Sequence, residues 1–198
     1  MPHPLAEQFG NIDIYLFDQL LRGRIPPGAR IFDAGCGGGR NLVYLLRAGH
    51  EVFALDADPR AVDAVRRLAP NLPAANFRAE PVEASTFSDA SADIAISSAV
   101  LHFARDDAHF HAMLQGSWRV LKPGGLFFCR LASNIGMESR MVPLNGRRHL
   151  LPDGSERYLV DEPYLMQLTA ELDATFLDPL KTSIVQNQRC MTTWVLRK

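Results

Sequence analysis

Cysteine, net charge and long apolar runs are all scarce in this chain of 198 residues. Its three cysteines (Cys36, Cys129 and Cys190) lie far apart, without the paired spacing of a disulfide framework or a zinc site. The formal net charge is −1, which marks no nucleic acid or anionic membrane surface as a partner. No stretch reaches the roughly twenty apolar residues that span a bilayer. We therefore expect a cytoplasmic protein with reduced thiols, no metal site, and neither a nucleic-acid nor a membrane partner.

Signals for targeting and for domain linkers are absent as well. Residues 1–4 carry neither the basic segment nor the apolar core of a secretory signal. No repeat or low-complexity segment divides the chain, and its composition of 47% hydrophobic and 22% charged residues is that of an ordinary globular domain. We expect one domain over residues 1–198, acting as a monomer or homodimer.

A glycine loop follows the first apolar run. Residues 31–34 predict a buried strand, and Gly35, Gly37 and Gly39 come directly after it, before a helix expected to begin at Arg40. Glycines allow the backbone to turn sharply and leave no side chain between it and a ligand. The G-x-G-x-x-G spacing of dinucleotide-binding loops requires glycine at position 40, where this chain has arginine. The loop therefore departs from the dinucleotide pattern.

A second strand is predicted at residues 52–55 and ends at Asp56. A carboxylate at that tip, about twenty residues beyond the glycines, can accept hydrogen bonds from ribose hydroxyls. The alternative for Asp56 taken alone is a solvated loop carboxylate. The next helix is predicted to begin at Asp58 and Pro59, because aspartate caps helices and proline suits the first turn. Its buried face is expected to carry Val62, Val65 and Leu68.

Strands and helices continue to alternate along the chain. Apolar periodicity predicts strands at 74–79, 93–98 and 126–129 and helices at 107–121 and 162–172. Between the helix and the third of these strands, Lys122-Pro123-Gly124-Gly125 predicts a turn. The last two strands, 181–185 and 190–196, are joined too tightly for a parallel crossover. The pattern predicts an α/β fold, with a mostly parallel sheet and an antiparallel C-terminal hairpin.

Four segments in register resemble class I S-adenosylmethionine-dependent methyltransferases: Asp33 with its glycines, Asp56, residues 87–102 and the turn at 121–125. The resemblance runs from about Gly28 to the C-terminus. It implies a Rossmann-like, seven-stranded sheet with helices on both faces, S-adenosylmethionine as the cofactor, and methyl transfer. The N-terminal segment and the C-terminal third resemble, more loosely, bacterial small-molecule methyltransferases of the tellurite-resistance and thiopurine types.

The resemblance also implies a set of cofactor-binding residues: Asp33, Gly35, Cys36, Gly37, Gly39, Arg40, Asp56, Ala57, Glu80, Pro81, Val82, Ser98 and Leu101. The glycine loop would cradle the methionine portion, Asp33 would orient its amino group through water, and Asp56 would bind the ribose. Cys36 is expected to pack rather than react, because nothing nearby in sequence lowers its pKa. Arg40 either pairs with the cofactor carboxylate or reaches solvent, and the sequence leaves both open.

The tip of the third strand departs from the family pattern. An expected aspartate is replaced around Glu80-Pro81, and proline has no N–H to donate. We assign the adenine amino group to Glu80 and a ring nitrogen to the Val82 N–H, with Glu83 as the competing choice.

The acceptor is expected to be a small molecule. The Asn/Asp-Pro-Pro-aromatic loop of nucleic-acid base methyltransferases is replaced here by Ser97-Ser98-Ala99-Val100, and the paired-glutamate loop of protein arginine methyltransferases is missing. Transfer from a sulfonium depends mainly on alignment, and a base is needed only when the acceptor must lose a proton. His102 is the candidate for that base or for a hydrogen bond to the acceptor, with a packed histidine as the alternative.

Two segments are expected to surround the acceptor: an N-terminal helical lid at 1–27 and an insertion at 133–158. The lid helix places on one face the residues Ile12, Tyr15, Leu16, Gln19 and Leu20. Tyr15, Arg147 and Arg148 are the predicted acceptor contacts, although a solvated basic loop is the alternative for the arginines. The competing functions are a catalytically silent S-adenosylmethionine-binding protein that acts through a partner, and an NAD(P)-dependent oxidoreductase.

Overall fold

The computed structural model describes residues 4–198. For Met1, Pro2 and His3, the predicted helical lid at 1–27 therefore lies outside the described residues. The helices and strands follow one another in this order: α1 Pro4–Phe9, α2 Ile14–Leu21, β1 Arg30–Ala34, α3 Val43–Arg47, β2 Glu51–Asp56, α4 Pro59–Leu68, β3 Phe77–Ala79, β4 Ala92–Ser98, α5 Asp107–Val120, β5 Leu121–Ala132, β6 Val142–Asn145, β7 Arg148–Leu150, β8 Glu156–Tyr158, α6 Glu162–Glu171, β9 Thr175–Phe176, β10 Lys181–Val185 and β11 Arg189–Arg197. Among residues 4–198, no helix combines the length and apolarity that crossing a membrane requires.

The main sheet has the strand order β10-β11-β5-β4-β1-β2-β3, and the short strand β9 pairs with β11 beside this path. Strands β1 to β5 pair in parallel, whereas β11 runs antiparallel to both β5 and β10. The predicted α/β sheet with an antiparallel C-terminal hairpin is confirmed. Since β1 lies between β2 and β4, the carboxyl ends of these three strands meet at one edge of the sheet.

Alternate side chains of the strands enter two separate cores. Phe32 packs in one core with Leu114 of α5 and Leu165 of α6, while its neighbour Ile31 packs in the other with Leu45 of α3. This alternation follows from the two-residue repeat of a strand. Both faces of the sheet are therefore covered by helices, as the sequence predicts.

Two predicted boundaries and one predicted buried residue need correction. After the glycines, turns continue through Leu42, whose N–H donates to the Gly39 carbonyl at 2.9 Å, so the helix begins at Val43 rather than at Arg40. Residues 74–76 form a 3₁₀ turn, because the buried Asn76 amide donates to the Val52 carbonyl at 3.1 Å. Leu68, at the last position of α4, is 44% exposed.

The turn predicted at residues 122–125 is instead a bulge within β5. Ala92 pairs with Leu121, and the next pair joins Ile94 to Leu126, so four residues of β5 loop out between the two pairs. Gly125 is required in this bulge, because a Cβ there would lie 2.8 Å from the carbonyl oxygen of Asp93. Helix α5 therefore passes directly into the strand, without a separate turn.

The insertion at 133–158, which carries no clear strand periodicity, forms a small antiparallel sheet of β6, β7 and β8. Its strands are three or four residues long and largely exposed, so no alternation of apolar residues predicts them from the sequence. Tyr158 fixes this sheet to α5: its ring stacks on Phe110 at 4.7 Å, and its hydroxyl donates to Asp107 at 2.9 Å.

The N-terminal helices pack against the body of the protein. Asp13 caps α2 by accepting a hydrogen bond from the Tyr15 N–H at 3.0 Å, and Leu16 and Gln19 are buried. The Gln19 amide donates to Asp178 at 3.0 Å. In α1, Phe9 stacks on Tyr44 at 4.9 Å. The helix face predicted from sequence thus packs inward.

Candidate functional site

A cavity of about 480 Å³ lies where β1, β2 and β4 end. We call it the glycine-loop cavity, because Gly35, Gly37 and Gly38 form one wall. Its size is that of a small-molecule site, and its position is where open α/β sheets bind ligands. All but four of the predicted cofactor residues line it; the exceptions are Asp33, Gly39, Glu80 and Leu101.

Backbone hydrogen bonds to β2 hold the loop open. The N–H groups of Gly35 and Cys36 both donate to the Leu55 carbonyl at 2.9 Å. Gly35 has a φ of +84°, and a Cβ there would lie 2.5 Å from Val100 Cγ2, so only glycine fits. Burial raises the pKa of the Cys36 thiol far above its ordinary value, which favours packing over reaction.

Asp56 joins the loop to the next helix. Its Oδ2 accepts the Gly37 N–H and its Oδ1 accepts the Asp58 N–H, both at 2.9 Å. A carboxylate has about four lone-pair positions, so both oxygens retain acceptor capacity for a ligand. Asp56 lines the cavity, and Ala57 next to it is exposed at the rim.

Asp33 lies behind the loop as a buried carboxyl group without a partner. It is 1% exposed, and its Oδ1 has no hydrogen bond. Burial, partly offset by the charge of Arg40 and reinforced by that of Asp56, raises the pKa of Asp33 to about 7. A buried, unsatisfied acceptor is costly unless a ligand or water completes it. Asp33 is therefore positioned to gain from a cationic donor.

The raised pKa predicts how stability depends on pH. Between the unfolded value of 3.8 and about 7, folded Asp33 holds a proton that the unfolded chain has lost. Its contribution to stability is thus complete below 3.8 and is lost as the pH rises through about 7. Relative to Asp33→Asn, the wild-type protein without cofactor should lose free energy of unfolding from pH 5 to pH 8, as measured by urea denaturation.

Asp93→Asn is the matched control for this pH dependence. Hydrogen bonds from Lys122 and the Arg30 N–H outweigh desolvation and lower the pKa of Asp93 below its ordinary value. Its contribution is therefore complete throughout the range from pH 5 to pH 8. If both variants differ from wild type by amounts that do not change with pH, Asp33 does not titrate in this range.

Three other predicted cofactor residues do not reach the cavity. Glu80 accepts hydrogen bonds from the Thr86 N–H and hydroxyl, both at 2.8 Å, which turns it away. Leu101 is fully buried in the core. Gly39 allows α4 to approach, since a Cβ there would lie 2.9 Å from the Leu68 side chain.

Glu83, the competing choice, lines the cavity instead of Glu80. Its Oε1 lies 3.0 Å from His109 Nε2, and Val82 and Pro81 lie on the same wall. His109 and Met113 enter the cavity from one face of α5, where their i, i+4 spacing places them together. That spacing was the available sequence signal for His109, which the sequence analysis did not include among the site residues.

Arg40 connects the loop to the rest of the site. Its guanidinium donates to the Ser98 hydroxyl at 3.2 Å and lies 3.6 Å from the buried Asp13 carboxylate. Arg40 does more than reach solvent, because about half of its side chain is covered and it lines the cavity.

A second cavity, of about 310 Å³, adjoins the first. Arg40 and Ala99 line both, and Arg130, Arg157 and Arg189 line the second, which we call the arginine cavity. Residues 151–157 of the insertion form part of its wall. Ala99 has a φ of +65°, a strained value for alanine, at the place where the two cavities meet.

His102 also lines the arginine cavity, and its hydrogen bond defines its protonation state. Its Nδ1 accepts the Ala132 N–H at 3.2 Å, so the neutral ring carries its proton on Nε2. Burial, together with the nearby Arg157, lowers the pKa of His102 to about 4. With Nδ1 occupied and Nε2 a donor, the geometry favours hydrogen bonding to a ligand over general-base catalysis.

The residues predicted to contact the acceptor lie elsewhere. Arg147 pairs with Asp161 at 3.0 Å, and Arg148 pairs with Glu156 at 2.7 Å; neither lines the glycine-loop cavity or the arginine cavity. The hydroxyl of Tyr15 lies 2.5 Å from Ser183 Oγ, and its ring lies under Arg130. Of the described residues before Gly28, none lines either cavity.

Sequence reasoning missed the three arginines that do line the second cavity. For Arg130 a signal existed: it interrupts an otherwise apolar strand, where an unpaired arginine is rare. For Arg157 and Arg189 no local pattern distinguished them from other exposed arginines. Their positions follow from how the insertion and β11 pack.

Comparison with known proteins matches residues 32–129 to a family described as a methyltransferase domain. The chain is 37% identical over 103 residues to an uncharacterized methyltransferase of Synechocystis sp.. That aligned region covers 52% of this chain and 47% of the relative. The chain is 32% identical over 144 residues to the 2-methyl-6-phytyl-1,4-hydroquinone methyltransferase of the same organism. That aligned region covers 72% of this chain and 40% of the relative. The chain thus spans less than half the length of either relative.

A solved structure shares the fold. The Burkholderia thailandensis 1,6-didemethyltoxoflavin-N1-methyltransferase with bound 1,6-didemethyltoxoflavin and S-adenosylhomocysteine matches with a TM-score of 0.69 and 21% identity, over 98% of this chain and 81% of that one. The family match runs from β1 to β5 and includes the glycine loop, Asp56 and Ser98. Residues 32–129 therefore form a domain of the class I S-adenosylmethionine-dependent methyltransferase family.

Proposed function

We propose that this protein transfers a methyl group from S-adenosylmethionine to a small-molecule acceptor. The observation that carries the proposal is the buried, unpartnered Asp33 carboxyl group behind a glycine loop whose next strand ends in Asp56. The amino group of the cofactor is a cationic donor of the kind that Asp33 lacks. A Cβ at Gly37 or Gly38 would meet no protein atom within 4 Å, which leaves the loop backbone accessible to a ligand.

The residues present fit each part of the cofactor. Asp33 would orient the amino group through water from behind the loop, Asp56 would hold the ribose hydroxyls, and Arg40 would hold the carboxylate. At the adenine end, we propose that Glu83 accepts from the amino group and that the Val82 N–H donates to a ring nitrogen. Proline at position 81 leaves that second role to the backbone of the next residue.

When bound, the cofactor supplies a methyl group that its sulfonium charge already activates. The protein then needs chiefly to align the acceptor and exclude water. Ala99 and Arg40 lie where the two cavities meet, so an acceptor in the arginine cavity would face the glycine-loop cavity. His102 would position the acceptor through Nε2–H rather than remove its proton.

The named substrates of two relatives support a small-molecule acceptor, since they are a phytylhydroquinone and 1,6-didemethyltoxoflavin. The volume of the arginine cavity, about 310 Å³, also fits a small-molecule acceptor. We further propose that the protein acts in the cytoplasm, as a monomer or homodimer and without a nucleic-acid partner. An NAD(P)-dependent oxidoreductase is disfavoured because Arg40 replaces the third glycine of its loop.

The test is a screen of thiols, phenols, amines and carboxylic acids for the formation of S-adenosylhomocysteine. We expect calorimetry to show micromolar binding of S-adenosylmethionine and S-adenosylhomocysteine, at about −8 kcal/mol, and weaker binding of NAD. At least one acceptor class should give turnover. Tight binding of NAD without a response to either sulfur compound would contradict the proposal. Binding of the sulfur compounds without turnover of any acceptor would favour the catalytically silent alternative.

A further inference from the structure

The arginine cavity carries more positive charge than the rest of the site. Four arginines line it, and Asp153 is its one lining carboxylate among the described residues. The Asp153 carboxylate accepts hydrogen bonds from the Ser155 hydroxyl at 2.5 Å and from the Ser155 N–H at 3.0 Å, and its negative charge offsets at most one of the four positive charges. Such a cavity attracts an anion and repels a cation.

Asp13 holds two of these arginines in place from behind. Its Oδ2 lies 2.6 Å from Arg130 and 3.6 Å from Arg40, and its side chain is completely buried. One carboxylate neutralises one of the two guanidinium charges at most, so the cavity stays positive. The Arg130 Nε is buried and has no hydrogen-bond partner, which leaves one donor beside the cavity unsatisfied.

The other two arginines share one nearby carboxylate. Arg157 and Arg189 both help to lower the pKa of Asp153, and its single negative charge offsets at most one of their two positive charges. Within the part of the chain that the structure describes, neither Arg157 nor Arg189 forms an ion pair. Arg157 is nevertheless ordered: it lies over the Phe103 ring at 4.9 Å and donates to the Glu156 carbonyl at 2.7 Å. An arginine held by an aromatic ring and a carbonyl keeps donors available for a carboxylate or phosphate.

We propose that the arginine cavity binds the anionic group of the methyl acceptor, and that the acceptor is therefore a small organic acid. This inference rests on the proposed function, because it takes the glycine-loop cavity as the cofactor site. Arg157 and Arg189 supply charged donors, Arg130 adds positive charge, and the neutral His102 supplies Nε2–H. Carboxylate and phosphate share the chemistry that these groups recognise.

The proposal also agrees with the role of His102, whose Nδ1 is occupied and whose Nε2 is a donor rather than a base. An acceptor that attacks without first losing a proton, such as a carboxylate or a neutral amine, needs no base before methyl transfer. The arginines favour the ionised form of any acid they bind, since an opposite charge stabilises an anion. A site of this kind needs donors and positive charge, and those are the groups that line it.

The test uses calorimetry on the full chain saturated with S-adenosylhomocysteine. The probes are benzoate, malonate and inorganic phosphate, with benzamide as the uncharged match of benzoate. At least one anion should bind more tightly than benzamide. The double variant Arg157→Gln/Arg189→Gln should weaken that binding by about tenfold or more, because it removes charged hydrogen-bond donors. Tighter binding of benzoate and malonate than of phosphate would identify the acceptor as a carboxylic acid. Tighter binding of phosphate would identify it as a phosphate ester.

Arg148→Gln is the matched control. It removes one arginine of the same small sheet whose guanidinium pairs with Glu156 outside the cavity. The anion affinity should stay within about threefold of wild type in this variant. The double variant should also retain its affinity for S-adenosylhomocysteine within the same limit.

Two outcomes overturn the proposal, and a third overturns its premise. The first is that no anion binds more tightly than benzamide, and the second is that the double variant binds anions as wild type does. In both, intact binding of S-adenosylhomocysteine would leave the proposed function standing. Failure of wild-type protein to bind S-adenosylhomocysteine would overturn the proposed function itself, and this inference with it.

Discussion

Replacing Asp56 with alanine should lower the affinity for S-adenosylhomocysteine by about tenfold to a hundredfold. The carboxylate lines the cavity and would accept hydrogen bonds from the ribose hydroxyls, and the loss of such a charged acceptor costs about 1.5–3 kcal/mol. The substitution also frees the Gly37 N–H, which Asp56 fixes at 2.9 Å in the wild-type protein, so the loop loses an anchor. Isothermal titration calorimetry measures the change directly.

Asp58→Ala provides the matched control for Asp56. This neighbouring carboxylate caps α4 by accepting the Arg60 N–H at 2.9 Å and does not line the cavity. Its removal should lower the thermal stability, while the affinity stays within about threefold. Asp56→Asn should give an intermediate loss, because its amide oxygen replaces one acceptor without the charge. Equal affinities of Asp56→Ala and Asp58→Ala would mean that the ribose is held elsewhere.

Gly35→Ala should abolish measurable cofactor binding and destabilise the fold. The φ of +84° costs an alanine about 1–3 kcal/mol. The added Cβ would also lie 2.5 and 2.9 Å from the two γ-carbons of Val100, and such overpacking costs about 1–3 kcal/mol. Relief requires the loop or the segment after β4 to move, and both line the cavity. Urea denaturation and calorimetry on the same samples measure the two losses.

Two further variants separate strain from packing. Gly28 has a φ of +74°, and a Cβ added there would meet no atom within 4 Å, so Gly28→Ala carries the conformational cost alone. The difference between the two alanine variants then isolates the clash with Val100. Gly35→Ala/Val100→Ala should recover part of the stability, because it removes the clashing carbons. A double variant no more stable than Gly35→Ala would place the damage elsewhere.

The glycine loop and Asp56 could be predicted from the sequence because their geometry is local. A buried strand followed by glycines must turn at its end, and a neighbouring parallel strand of similar length brings its tip to the same edge. The role of Asp33 was implied by the family resemblance, and its unpartnered oxygen became visible only in the structure. Glu80 and Glu83 could not be separated in this way, because the hydrogen bonds from Thr86 decide which one turns away.

The arginine cavity could not be predicted, because its residues come from distant parts of the chain. Arg130 belongs to β5, Arg157 to β8 and Arg189 to β11, and Asp13, which holds Arg130, lies 117 residues before it. Arg147 and Arg148 share the composition that suggested an acceptor site, but Asp161 and Glu156 already pair with them. Composition cannot show which guanidinium a carboxylate has taken.

The sequence by itself determined the alternation of β1 to β5 with their helices, the C-terminal hairpin, the glycine turn and the carboxylate at the tip of β2. Each of these depends on backbone sterics or on apolar periodicity within a few residues. Only the tertiary structure decided which charged groups face the second cavity and that His102 is a donor there, with its Nδ1 occupied by the Ala132 N–H. Those outcomes depend on the packing of the insertion and the C-terminal hairpin against the sheet, because burial and ion pairing are set by neighbours far along the chain.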